Sequence, residues 1–292
     1  TTRGMDFQDI YHNVLYIPPV EDKRLYWGAS DIEHYEVTSD YLYLAGDMSP
    51  VYNAQPDYRN NTTEVKEREF FLLKDEKVLL VMDRGKSFDP SVDKIFQLYL
   101  HNQASPSEDD YIVDNGNTDL IIHTAYPYNV DTSLDEYGTP RMRVTTPTAE
   151  TDKTFLNIFK ISESGEFLQT SNVNVSGSDM IGTAFVGNTI DSDFLVMFSN
   201  NITGGPVTDG NINVSFSGFG NFILAYMLNM QPNTEYYYSD SHVDSTIELE
   251  ISTTDLGADG PVTSSSEGVL ILGIQPGENP APPPPIEGVE IH

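Results

Sequence analysis

Cysteine is absent from the 292 residues, which excludes disulfides, thiolate zinc sites, iron–sulfur clusters and cysteine nucleophiles together. Basic residues are scarce. Fifteen Lys and Arg stand against 45 Asp and Glu, a formal net charge of −30. So acidic a chain disfavours nucleic acid and anionic lipid as partners, because both require clustered cations. No uninterrupted run of about 18 apolar residues occurs, so no membrane-spanning helix is expected. Stretches with apolar residues at helical spacing are also hard to find. The opening TTRGMDFQDI has neither an initiator Met nor a signal-like apolar run, as expected of a mature or truncated product.

What is present suffices for a packed core. Hydrophobic residues make up 38% of the chain, with 17 Tyr and 14 Phe, enough for one large domain or two smaller ones and an argument against disorder. Short runs rich in β-branched and aromatic residues recur at Tyr41–Leu44, Glu69–Leu73, Lys77–Met82, Ile95–Leu100, Phe155–Ile161, Phe194–Phe198 and Thr246–Ile251. Asn, Asp, Gly, Ser and Pro clusters bound them, so they read as strands. Asn221–Met230 fits strand or helix, with its aromatics favouring a buried strand. The pattern predicts an all-β fold: a large antiparallel two-sheet sandwich over residues 1–229 and a smaller β element over 230–276. Residues 277–292 form a proline-rich linker; Pro282–Pro285 favour polyproline II, a stiff spacer that implies a further module. Low Lys with abundant Asp, Glu, Asn, Ser and Thr suits a secreted protein, extracellular or at the cell surface, in a saline setting. Asn-x-Ser/Thr sequons stand at Asn60, Asn61, Asn174, Asn201 and Asn213 and have meaning only in a eukaryotic host.

Three blocks occur in a telling order. The first is Tyr11-His12-Asn13-Val14-Leu15-Tyr16-Ile17. The second runs from Gly28-Ala29-Ser30-Asp31-Ile32 to Tyr41-Leu42-Tyr43-Leu44-Ala45-Gly46-Asp47, with Tyr52 shortly after. The third is Val65-Lys66-Glu67-Arg68-Glu69-Phe70-Phe71-Leu72-Leu73, then Val78-Leu79-Leu80-Val81-Met82-Asp83-Arg84, closing at Leu98-Tyr99-Leu100-His101. Over residues 8–103 this resembles the β-supersandwich of the heparinase II/III-like polysaccharide lyases, and Met230-Gln231-Pro232-Asn233-Thr234-Glu235-Tyr236 is similar to a turn near the end of such domains. The family's N-terminal α/α toroid has no counterpart in this sequence.

The resemblance implies β-elimination on a uronate-containing acidic polysaccharide. Such lyases neutralise the uronate carboxylate, remove the C5 proton and protonate the leaving oxygen, with most of the groups on the toroid. From the β-domain it implies His12, with Tyr11 beside it, as catalytic candidates. Some members carry a second His two positions earlier, where this chain has Ile10. It also implies a structural zinc site of His12, Asp31 and His101, since two imidazoles and a carboxylate suit Zn²⁺. By themselves, His12 and His101 read as half-buried strand histidines bonded to backbone. Arg68 and Arg84 fit an anionic sugar, but in an acidic protein an ion pair with Asp83 or Glu69 is the plainer reading. Asp47 after Gly46 reads as a turn, Ser107–Asp110 as a solvated loop, and Tyr236–Tyr238 as a strand with at least one ring inward. His34, His123 and His242 show no partner pattern. A second class of function stays open: a non-catalytic structural, adhesive or glycan-binding module that stacks with further copies of itself.

Overall fold

In a computed structural model of the chain, the described residues are 14–17, 30–50, 63–136, 139–148, 150–163, 168–187, 192–202, 205–207, 211–217, 222–243, 246–257 and 261–275. They are strands and turns apart from Ser49 and Pro50, which are helical. The chain falls into two compact units that divide near residue 166, with 36–41 and 74–76 belonging to the second.

The twelve strands up to residue 163 are β1 (Val14–Tyr16), β2 (Asp31–Val37), β3 (Tyr41–Asp47), β4 (Thr63–Leu73), β5 (Val78–Ser87), β6 (Ile95–Tyr99), β7 (Ala104–Ser107), β8 (Asp110–Asp114), β9 (Thr118–Tyr126), β10 (Asp131–Glu136), β11 (Pro140–Thr145) and β12 (Asp152–Glu163). They form a four-stranded sheet in the order β1-β6-β11-β10 and an eight-stranded sheet in the order β2-β3-β4-β5-β12-β9-β8-β7. Alternation decides which side chains meet between them. Leu15, Phe96, Met142 and Val144 on the small sheet share one core with Val113, Ile122 and Phe155 on the large one. Residues between them in sequence, such as Gln97, Tyr99, Arg141 and Arg143, therefore lie on the opposite, outer face of the small sheet.

The remaining strands are β13 (Thr170–Ser176), β14 (Met180–Val186), β15 (Ser192–Ser199), β16 (Asn211–Ser217), β17 (Phe222–Met227), β18 (Glu235–Val243), β19 (Thr246–Ser252), β20 (Val262–Thr263) and β21 (Leu270–Ile274). They make one nine-stranded sheet in the order β20-β18-β19-β16-β13-β14-β15-β17-β21. β13 is its corner: Thr170–Asn172 pair with β14, and Val173–Ser176 pair with β16. The two wings enclose a common core, with Leu195, Met197 and Leu272 from one and Phe216, Tyr238 and Leu249 from the other. β15 and β17 run parallel, whereas the other pairings described are antiparallel.

The all-β expectation holds, and the ambiguous Asn221–Met230 segment supplies the buried strand β17. The boundary expected at 229 falls inside the nine-stranded sheet, between β17 and β18. A tight connection explains this: Asn229 and Asn233 adopt positive φ, and Met230 N donates to Gly268 O at 2.9 Å. Pro232 thus marks a turn within one sheet. The proline tail lies outside the described residues.

Gly268 makes this connection possible, with φ of +78° and a position where a Cβ would collide with the Met230 carbonyl oxygen. Gly268→Ala is expected to cost about 1–3 kcal/mol, read as a lower urea midpoint at unchanged slope. An unchanged midpoint would show that the turn relaxes freely.

Candidate functional site

Of the residues singled out in the sequence, Tyr11 and His12 lie outside the described residues. β1 follows them directly in the chain and pairs with β6, Val14 opposite Gln97. Asp31 opens β2 at the edge of the eight-stranded sheet and is exposed; His101 is exposed in the turn after β6, in the four-stranded sheet. Among the described residues no group of three His, Asp or Glu side chains is arranged to hold a metal ion. Asp47 is a turn residue, its Oδ1 accepting from Ser49 N at 2.7 Å. Ser107–Asp110 is the β7–β8 hairpin turn. His123 pairs with Asp110 at 2.7 Å and His242 with Asp240 at 3.0 Å. His34 stacks on Tyr43 with ring centroids 5.7 Å apart.

Arg68 and Arg84 serve the sheet. Arg68 is held by Asp83 through two hydrogen bonds, Nε to Oδ1 at 2.6 Å and Nη2 to Oδ2 at 2.8 Å. Arg84, on the other face of β5, is fully buried. Its Nη1 contacts Glu69 Oε1 directly and lies 3.5 Å from Glu67 Oε2. Tyr43 Oη donates to Glu69 Oε2 at 2.7 Å. Burial pushes the Glu67 carboxyl up to about 8, against the pull of Arg84 and with the charges of Glu33, Asp47 and Glu69 adding to the rise. Glu33 is raised mainly by burial and by Asp47.

The cations that face outward together are on the four-stranded sheet. Arg141 stands opposite Tyr99, and Arg143 opposite Gln97; on the other side of β11, Arg141 stands opposite Asp135. Arg141 grips Asp135 with Nε to Oδ1 and Nη2 to Oδ2, each 2.7 Å. Its Nη1 lies 3.4 Å from Tyr99 Oη, and its guanidinium carbon 5.9 Å from the centre of that ring. The hydrogen bond from Arg141 holds the Asp135 carboxyl below the usual range, helped by the charges of Arg141 and Arg143. Arg143 is different: its Nε is buried and donates no hydrogen bond among the described residues. Gln97 beside it is fully buried. Two guanidinium groups and a phenol on one face, beside the carboxylates of Asp135 and Asp131, can orient a carboxylate or sulfate. Sequence reasoning missed this set. Its only signal was Arg-Met-Arg at strand spacing in a chain poor in cations, together with Tyr99 inside the closing block.

No family model and no curated protein matches the chain. Among solved structures 23 chains match. The heparan sulfate lyase HepC from Pedobacter heparinus superposes with a TM-score of 0.46 at 12% identity, and a mutant of it with 0.46 at 11%. Each match covers 65% of this chain and 30% of the lyase's own length.

The buried carboxylates give the first unit a pH signature independent of any ligand. Glu67 binds its proton more tightly folded than unfolded, with about 8 against 4.5. Between these values the folded state holds more protons, so stability is greatest below the lower one and is lost as pH rises through the higher. The melting temperature is expected to fall from pH 5 to pH 8 and to fall less in Glu67→Gln. Parallel curves for the two proteins would remove Glu67 as the source.

Proposed function

We propose that the first unit is the β-domain of a secreted polysaccharide lyase that cleaves a uronate-containing acidic glycan by β-elimination, with most of its catalytic groups in an α/α toroid domain. The observation that carries this reading is the row of Arg141, Arg143 and Tyr99 on the outer side of the four-stranded sheet. Supporting it, the family-like blocks fall on successive strands: Tyr41–Asp47 is β3, Thr63–Leu73 contains the Arg68 block, and Val78–Arg84 lies in β5. In the reaction the C5–H and C4–O bonds break and a C4–C5 double bond forms; the C5 proton passes to a base, and the leaving oxygen takes another from an acid. A carboxylate held by Arg143 loses negative charge, which acidifies the C5 proton. Tyr99, whose hydroxyl lies 3.4 Å from Arg141 Nη1, is the group proposed to exchange a proton. His12 and Tyr11 are proposed alongside it on the family order alone.

The full-length protein is expected to release unsaturated uronate, read by ultraviolet absorbance, from at least one of alginate, heparan sulfate, hyaluronan and ulvan. The 292-residue chain by itself should be inactive. In the active protein Arg143→Ala should lower kcat/KM by about 30-fold or more, the loss of a charge-assisted contact to a carboxylate. A flat trace on all four glycans, or an Arg143→Ala enzyme at full rate, would overturn the reading.

The zinc site of His12, Asp31 and His101 is likewise proposed from the family order. Its role would be to fasten strands, and binding should weaken below about pH 6 as the imidazoles protonate. Elemental analysis of protein purified without chelator or affinity metal decides it. Less than about 0.2 zinc per chain, or unchanged metal content in His12→Ala, rejects the site.

One observation favours the second reading, a non-catalytic adhesive or assembly module. Among the described residues β2 is an edge strand, and it exposes Ile32 at 71%, Tyr35 at 62% and Val37 at 48%. Such an edge invites pairing with a further copy of the chain. That reading predicts concentration-dependent self-association, abolished when Ile32 and Tyr35 become Lys.

A further inference from the structure

The second unit has a surface of its own with a different electrostatic character. Every Lys and Arg of the chain lies at or before Lys160; residues 167–292 hold fifteen Asp and Glu and no Lys or Arg. On this unit the strands β18, β19, β16 and β13 stand side by side. Their inward residues Tyr236, Tyr238, Leu249, Val214 and Val173 are in the core, so the intervening residues face out.

Those outward residues fall into register. One row across the four strands reads Ser241–Glu248–Ser215–Asn174. The next reads Ser239–Glu250–Asn213–Ser176. Both rows line a depression of about 440 Å³. One step further along β18, Tyr237 stands on the same face, since its neighbours Tyr236 and Tyr238 point inward. Tyr238 is tied down by its hydroxyl, which donates to Gly273 O at 3.2 Å, and the Tyr236 hydroxyl accepts from Gln231 N at 3.1 Å. Only the middle ring of the triplet is presented outward.

We propose that this face is a binding platform for a neutral glycan chain, separate from the lyase reading and not resting on it. The chemistry matches a sugar on each count. Ser and Asn side chains in two aligned rows donate to and accept from ring hydroxyls, and Tyr237 offers an aromatic face at the end of the rows for the apolar side of a pyranose. Each row crosses four strands, about 14 Å, which leaves room for more than one sugar ring. Glu248 and Glu250 stand in the middle of the rows and accept hydroxyl hydrogen bonds. With no Lys or Arg anywhere in residues 167–292 to offset them, they repel uronate and sulfate. The platform therefore selects against the glycan class that the Arg141–Arg143 row would attract.

The test uses the full 292-residue chain made in bacteria, so that the sequons at Asn174 and Asn213 stay unmodified. It is titrated by calorimetry or NMR with neutral β-glucan, mannan, galactan and xylan oligosaccharides, and with alginate oligosaccharide. At least one neutral probe is expected to bind with Kd of about 0.1–1 mM. Tyr237→Ala should weaken that binding about five-fold or more, and Asn213→Ala should also weaken it. Tyr237 faces outward, so its removal should leave the melting temperature near that of the parent, which separates lost binding from lost folding. Failure of all four neutral probes, equal binding of alginate, or unchanged affinity in both variants would overturn the platform. None of these outcomes bears on eliminase turnover by the full-length protein.

Discussion

The fully buried guanidinium of Arg84 sets the terms for the first sheet. A charge without water requires opposite charge beside it, and removing one partner of such a group costs about 3–5 kcal/mol. Glu69 supplies that charge from the adjoining strand, with Glu67 close by, and Tyr43 holds Glu69 from the strand beyond. On the reverse face of the same hairpin Arg68 stands opposite Asp83. A slip of one residue between β4 and β5 would turn each side chain to the wrong face. It would place Arg84 among apolar neighbours and separate Arg68 from Asp83. The hairpin register is thus keyed on both faces by ions, where hydrophobic alternation alone would permit sliding.

This use of cations leaves two guanidinium groups to share one face of so acidic a chain. Arg68 and Arg84 are held within the sheet, Lys86 pairs with Glu64 and Lys153 with Glu150. Lys74 and Lys94 donate to backbone carbonyls. Net charge describes the whole surface, whereas recognition depends on the few groups that share a face. On the outer side of the four-stranded sheet Arg141 and Arg143 stand with Asp135 and Asp131, so the charges there balance although the chain as a whole is strongly acidic.

The fold class was legible because a pleated strand writes its two faces into the sequence as alternation. The Tyr41–Asp47, Arg68 and Arg84 blocks could be read as strands, and the ion pairs of Arg68 and Arg84 were expected from their carboxylate neighbours. Tyr236–Tyr238 behaved as consecutive strand residues must. The outward row could not be read in this way. Gln97 and Tyr99 are more than 40 residues from Arg141 and Arg143, and only the β6–β11 register brings them together. The His123–Asp110 pair was hidden for the same reason, being created by the β8–β9 register. Pro232 and Asn233 resemble a turn near the end of a domain, but in the folded chain they turn it back into the same sheet.

The two outward faces use the same backbone device with opposite results. In each, adjacent antiparallel strands align side chains in rows across the sheet, and a packed core beneath removes the freedom of the strands that carry them. Rows of this kind are inexpensive to specialise, because an outward residue can change without disturbing the core. On the four-stranded sheet the rows hold guanidinium, amide and phenol groups, which can neutralise an acid. On the nine-stranded sheet they hold hydroxyl, amide and carboxylate groups, and the complete absence of Lys and Arg after residue 160 leaves nothing there to hold one. The fold fixes where the rows lie, and the sign of the side chains placed on them decides which ligand each can accept.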